Sequence, residues 1–429
     1  MTKPCSSSCS TQPSDSTDKR SGKIKSLIPA LSGVIGKIAL VAAFASAWAS
    51  ALGILDPTFV RENVRLELIL ASVLTLVVTV ALRVPAGPPG TLAPLIALVP
   101  AMAAAGVHPL SFGLLAGVAG LLTALLGWQD RLMRLNGPGT RGGILVLFSL
   151  MGFQSGLLGL HRWAASENGT LPALLLLTAG IAWSISLKRL HARWLTIPVC
   201  AVTALLLAFL FGHFPEWSTG VGLPIVDPAR WWQELWGIGW GMEWQGFLRA
   251  VPFVLLALVM WPIDALAVQA VLQGHSGDTG TVPTIDFRKT AYLVGVRNLA
   301  GVLLGGAQTA AVWRSFMIPL GVVRGPLRRS ALWLGLFGVT AGLLGFPIDL
   351  AVFPPLLWMV LLFGIYLPLL ETGLATLRTG SDRGTAAICV AVGLTVHPAA
   401  GWFVSLLVEK WHARRQQVSL PESSLREKE

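Results

Sequence analysis

Apolar residues fill this chain in runs of roughly 18–20 positions, parted by short links rich in Gly, Pro, Arg and Lys. A helix of that length crosses the ~30 Å hydrocarbon core of a bilayer. About fourteen such segments are expected from run length and polar flanks, centred near Phe44, Leu74, Ile96, Ala119, Ser149, Ala179, Ala204, Leu258, Val296, Phe316, Phe337, Val360, Val390 and Ser405. The expected fold is therefore all-α and polytopic. The last pair, Gly384–Glu409, is short and reads as re-entrant or steeply tilted.

Five regions are expected. Residues 1–26 form a disordered cytoplasmic tail, 27–213 the first seven spans, 214–244 an external interfacial loop, 245–412 the second seven, and 413–429 a short cytoplasmic tail. An odd number of spans per half inserts the second half upside down relative to the first, the inverted repeat of many secondary transporters. Such repeats are marked by a matched pair of Gly/Pro-interrupted spans. The third segment opens "RVPAGPPGTLAPLIALVP" and the tenth "LGGAQTAAVWRSFMIP"; both are expected to become helical only after their break.

Charge supplies the orientation. With the Lys-rich N-terminus inside, alternate loops should also be cytoplasmic. They carry Arg131, Arg134 and Arg141; Lys188, Arg189 and Arg193; Arg288 and Lys289; Arg324, Arg328 and Arg329; Arg378 and Arg383. The longest opposite loop carries Glu216, Asp227, Glu234 and Glu243 against Arg230, and its Trp cluster fits an amphipathic segment at the outer interface.

Composition agrees. Of 429 residues 54% are hydrophobic and only 12% charged, with a mean hydropathy of +0.68, far from the roughly one-quarter charged of soluble domains. The net charge of +11 follows from positive-inside loops rather than a nucleic-acid surface. Cys5, Cys9, Cys200 and Cys389 form no disulfide or metal framework, the histidines show no ligand spacing, and no catalytic motif is present. No enzyme and no cofactor is expected, apart from Na⁺ as a possible coupling ion.

Charges inside apolar runs carry the functional reading. Half-helices that start in mid-membrane aim unpaired N–H groups, with roughly half a positive charge each, at whatever lies between them. Breaks after Pro89 and Gly306 would set two such ends face to face and favour an anion. Arg314 follows the second break; an arginine at a span centre costs ~2.5–3.5 kcal/mol and is expected to face a cavity or partner. Ser315, Thr309 and Gln308 can add neutral hydrogen bonds, with Ala310, Ala311, Gly90, Thr91 and Leu92 lining the two breaks. Asp264, after Pro262, is expected to bind a coupling ion or proton or to pair with Arg314 or Arg297. Arg297 and Glu371 are read as structural or gating charges, Arg297 packing with Glu371 or Asp264.

The stretch "WPIDALAVQAVL", "IDFRKTAYLVGVRNLAGVLLGG", "AQTAAVWRSFMIPLG" resembles the sulfate-permease (SulP) branch of anion transporters: Asp264 takes the acidic position, and Asn298, Gly305–Gly306 and Arg314–Ser315 match. "GPPGTLAP" is similar, more loosely, to that family's third-span region. The chain also resembles an uncharacterised bacterial branch of this superfamily. The resemblance implies a fourteen-span fold with core and gate domains, shared with nucleobase and bicarbonate transporters. It further implies substrate between spans three and ten, elevator-like motion of the core, and a homodimer in the bacterial inner membrane. Trp313 replaces the usual serine, the first span lacks the expected Gln and Pro, and the tail is too short for a STAS domain. Sulfate specificity is therefore not implied. The expected function is Na⁺- or H⁺-coupled transport of an inorganic oxyanion, bicarbonate or carboxylate. The alternatives are nucleobase:proton symport on the same fold, or a channel or non-transporting membrane protein.

Overall fold

The computed structural model describes residues 27–56, 58–212, 221–224, 226–274, 285–308, 310–312, 327–345, 348, 350 and 353–418. The helices in chain order are α1 (Leu27–Leu52), α2 (Thr58–Leu74, continued by a π-helical stretch Thr75–Ala81), α3 (Val99–Ala104), α4 (Pro109–Leu125), α5 (Gln129–Leu135), α6 (Pro138–Trp163), α7 (Thr170–Arg189) and α8 (Thr196–Leu210). After the long loop that follows α8 come α9 (Trp244–Gly274), α10 (Phe287–Leu303), α11 (Leu327–Leu344), α12 (Pro354–Met359), α13 (Leu367–Thr376), α14 (Gly380–Thr395) and α15 (Pro398–Val418). Two three-residue strands, β1 (Pro89–Thr91) and β2 (Ala310–Val312), interrupt the helical pattern.

Among the described residues six helices are long and apolar enough to cross a membrane, and 93–104, 109–125 and 196–210 are shorter apolar helices. Their outward faces stay apolar: Leu174, Leu206 and Phe209 are all more than half exposed. In a soluble protein such belts would drive aggregation; against lipid tails they cost nothing. The protein is an integral membrane protein. α14 has 16 residues and rises only about 24 Å. It turns at Val396–His397 into α15, which packs along it.

Local sequence sets the ends of these helices. Thr379 and Asp382 form a reciprocal capping box at the start of α14. His108 caps α4 by accepting from Leu110 N at 3.2 Å, with Pro109 at the first helical position. At the start of α6 the cap comes from far away: the Glu409 carboxylate on α15 accepts from the backbone N–H groups of Gly137, Gly139 and Thr140 at 3.0, 2.9 and 3.3 Å.

Packing sorts the helices into two groups, each drawing on both halves of the chain. In one, α4 packs on α9 and α10, while α1, α2 and α11 pack together. In the other, α6 is flanked by α13, α14 and α15, and α8 by α7 and α12. The groups meet where the 3₁₀ turn Ala93–Leu98 lies on α6 and where α9 touches α15. Close approach uses glycine: a Cβ on Gly401 of α15 would stand 2.4 Å from the Cys389 carbonyl oxygen of α14.

The Trp-rich loop between α8 and α9 departs from the expected interfacial segment. Trp231, Trp232 and Trp236 are buried, not laid on the membrane surface. Their rings stack edge-on among themselves and against Phe59 and His108. Trp232 Nε1 donates to the Gly305 carbonyl at 3.1 Å, which gives the indole the polar partner burial demands. Of the tryptophans in the described part of this loop, only Trp240 and Trp244 are exposed.

Candidate functional site

The two interrupted segments meet in the interior. β1 and β2 run antiparallel with Pro89 opposite Val312, Gly90 opposite Ala311 and Thr91 opposite Ala310. On the first segment, consecutive prolines at 88 and 89 remove two backbone donors and fix φ, so no helix can run through them. Helical turns resume only at Ala93. On the second, α10 stops at Leu303 just before Gly305, whose φ of +90° is open to glycine alone without strain, and Gly306 N closes the end by donating to the Gly301 carbonyl at 2.6 Å. Gly90, Thr91, Leu92, Ala310 and Ala311 are all buried at this junction.

Side chains from α1, α2 and α10 hold the junction. Lys37 Nζ donates to the Pro89 carbonyl at 3.2 Å and pairs with Glu67 Oε1 at 3.0 Å. The other Glu67 oxygen meets the Arg297 guanidinium. Arg297 Nη1 donates in turn to the Gln308 carbonyl at 2.7 Å and to Asn298 Oδ1 at 3.2 Å. Asn298 Oδ1 accepts from Ala310 N at 2.8 Å, Asn63 Oδ1 accepts from Ala307 N at 2.7 Å, and Gln308 Nε2 donates to the Val41 carbonyl at 3.2 Å. The start of α10 steadies the approach to β1, since Gly87 N donates to Thr290 Oγ1 at 2.9 Å and Asp286 N to the Pro85 carbonyl at 2.8 Å.

Lys37, Glu67 and Arg297 are each about 1% exposed. Charges this deep persist only when paired and hydrogen-bonded, because desolvating each costs several kcal/mol. One carboxylate thus bridges two basic side chains. Beside it, Thr91 Oγ1, Gln308 Oε1 and Asn298 Nδ2 are buried without a hydrogen-bond partner among the described residues. Buried polar atoms left open in a native structure ask for an explanation, and a bound polar solute is one.

The residues singled out in the sequence fall in three places. Gly90, Thr91, Leu92, Ala310 and Ala311 lie together at the strand pair. Asp264 is buried on α9, two residues after Pro262. Arg314, Ser315 and Thr309 lie outside the described residues, as does the segment following β2. The pairing expected for Arg297 is corrected: its carboxylate is Glu67, while Glu371 is bound by Lys188 and Arg193 at 3.0 and 2.8 Å in a half-exposed cluster.

Sequence reasoning missed Lys37, Asn63 and Glu67. Lys37 stands in the middle of "SGVIGKIALVAAF", an intramembrane charge of the kind that marks a site. Glu67 and Asn63 were concealed in "RENVRLELIL", where four charges at the head of a span read as an interfacial flank.

A polytopic helical bundle in which two interrupted segments from opposite halves of the chain meet in the interior defines the class of transporter folds whose binding region lies at the crossing of broken spans. The fold is that of solved SulP/SLC26-type structures. It matches murine Solute Carrier 26 family member A9, an anion transporter in the inward-facing state, with a TM-score of 0.60 and 14% identity over 92% of this chain and 68% of that one. It also matches the transmembrane domain of the cyanobacterium bicarbonate transporter BicA, with a TM-score of 0.54 and 15% identity over 89% of this chain and 97% of that one. At such identities the likeness is one of fold. The chain belongs to the family described as "Protein of unknown function (DUF3360)", which matches residues 17–413. No curated protein matches the chain.

Proposed function

We propose that this protein is a secondary active transporter of a small anion, an inorganic oxyanion, bicarbonate or carboxylate, bound at the β1–β2 junction. The observation that carries the reading is the antiparallel meeting of two broken segments beside the buried Lys37–Glu67–Arg297 trio, with polar atoms at Thr91, Gln308 and Asn298 that have no partner among the described residues. Support comes from the fold shared with an anion transporter and a bicarbonate transporter. In this reading the group containing β1, β2, α9 and α10 carries the anion past the group built on α6, in an elevator-like displacement. Arg314 and Ser315 complete the anion site, and Asp264 is the position for a coupling proton or Na⁺. The protein works in the inner membrane of a bacterium with both termini in the cytoplasm, as a homodimer.

The test is uptake of labelled bicarbonate, sulfate and acetate into proteoliposomes under imposed Na⁺ or proton gradients. At least one anion is expected to accumulate saturably, with Arg314→Ala abolishing uptake while still inserting. Failure of all three anions under every gradient would refute the reading, and normal uptake by Arg314→Ala would remove that residue from the site.

A further inference from the structure

We infer that the exposed end of α15 is a docking surface for anionic phospholipid: Lys410, Arg414 and Arg415 take the headgroup phosphate, and Phe403, Leu407 and Trp411 lie against the chains below it. The inference goes beyond the transport reading and does not depend on which solute is carried. At about 100° per residue these six side chains fall within one arc of about 140° on the helix. Phe403, Leu407 and Trp411 are 56, 53 and 47% exposed along it, and the three basic residues are exposed too. Their order follows the depth profile of a leaflet: phenyl and aliphatic groups first, then an indole, then charges at headgroup height. The rise from Phe403 to Arg415 is about 18 Å. The Arg415 guanidinium lies 3.9 Å from the centre of the Trp411 ring, which ties the aromatic level to the basic one.

The opposite side of α15 is committed to the protein. Glu409 accepts from Gly137, Gly139 and Thr140, and Trp402 Nε1 donates to Asn136 Oδ1 at 2.8 Å. The Glu409 carboxylate is therefore turned away from the basic arc. None of Lys410, Arg414 and Arg415 pairs with a carboxylate among the described residues. Lys410 and Arg414 stand one turn apart, a like-charge spacing that destabilises an isolated helix. A basic last turn does complement the helix dipole, but the dipole asks for no apolar stripe beneath it. An anionic lipid meets both features at once: its phosphate offsets the repelling charges, and its chains cover Leu407 and Phe403.

The test uses the full chain in neutral-detergent micelles, with the melting temperature followed as dioleoyl phosphatidylglycerol or phosphatidylcholine is added. Phosphatidylglycerol is expected to raise it saturably, and phosphatidylcholine to leave it unmoved. Each of Lys410→Gln, Arg414→Gln and Arg415→Gln is expected to raise the phosphatidylglycerol midpoint concentration about fivefold, and the triple variant about a hundredfold. The charge-preserving double variant Lys410→Arg/Arg414→Lys is expected to keep the wild-type midpoint. Equal responses to the two lipids, or a triple variant with the wild-type midpoint, overturn the inference. So does an equal rise with glycerol phosphate at the same concentration, which marks a site for a free anion instead. A second copy of this chain is the rival occupant. A dimer mass that is independent of lipid in wild type and falls to monomer in the triple variant overturns lipid docking. Where the triple variant melts below wild type before lipid is added, the three single variants decide, and unmoved midpoints in all of them overturn the inference.

Discussion

Asn298 offers a direct measure of how firmly α10 holds the broken segments. Its Oδ1 accepts from Ala310 N at 2.8 Å and from Arg297 Nη1 at 3.2 Å, and the residue is fully buried. Asn298→Ala removes the acceptor and leaves the β2 amide without a partner in a water-poor interior. An orphaned buried donor costs about 1–3 kcal/mol. Arg297 loses less, because the Gln308 carbonyl and Glu67 still hold it. With the cavity left by the amide, the total is about 2–4 kcal/mol. Globular proteins gain about 2.1 cal/mol/K of unfolding entropy per residue, so a chain of 429 residues should melt about 2–4 °C lower. Melting of the purified protein in detergent gives the comparison. Asn298→Asp is the informative partner, since it keeps the acceptor and faces a guanidinium; it is expected to melt above Asn298→Ala and to regain part of the uptake. Equal melting temperatures for wild type and Asn298→Ala would refute the idea that this amide anchors β2.

Three further outcomes are expected. Glu409→Ala frees three N–H groups at the start of α6 and should destabilise the protein by about 1–3 kcal/mol, with Glu409→Gln between the two, as read by thermal unfolding. Gly401→Ala drives a methyl group into the α14 backbone and should cost about 3 kcal/mol or prevent accumulation of folded protein, whereas Gly384→Ala meets open space in α14 and should gain about 0.5–1 kcal/mol. Burial holds the His108 imidazole well below its usual range, at about 4. The unfolded chain therefore binds the proton first, and stability present above about pH 6.5 should fall as pH drops toward 4, by up to about 3 kcal/mol. His108→Asn should flatten that part of the melting-temperature profile.

The site was only partly legible in the sequence. The two breaks could be read because Pro88, Pro89, Gly305 and Gly306 act locally: a missing N–H or a left-handed φ ends a helix whatever surrounds it. Arg297 was visible as a deep charge, but its partner was not. Nothing in the spacing of Glu67 and Arg297, on α2 and α10, says that one carboxylate bridges to Lys37 as well. The Trp-rich loop shows the same limit: its composition fits a membrane interface, yet Trp232 finds a backbone carbonyl at Gly305 and a ring environment inside the protein.

By itself, the sequence determined the solvent, the broad helical class and the two points where helices must stop, because these follow from run length, hydropathy and backbone chemistry within a few residues. Tertiary structure alone decided that the stops pair as antiparallel strands. It also decided that Lys37 and Arg297 share the Glu67 carboxylate beside them, and that Glu409 caps a helix some 270 positions away. Those contacts depend on which helix faces which, and long-range facing is set by the packing of whole helices rather than by any local run of residues.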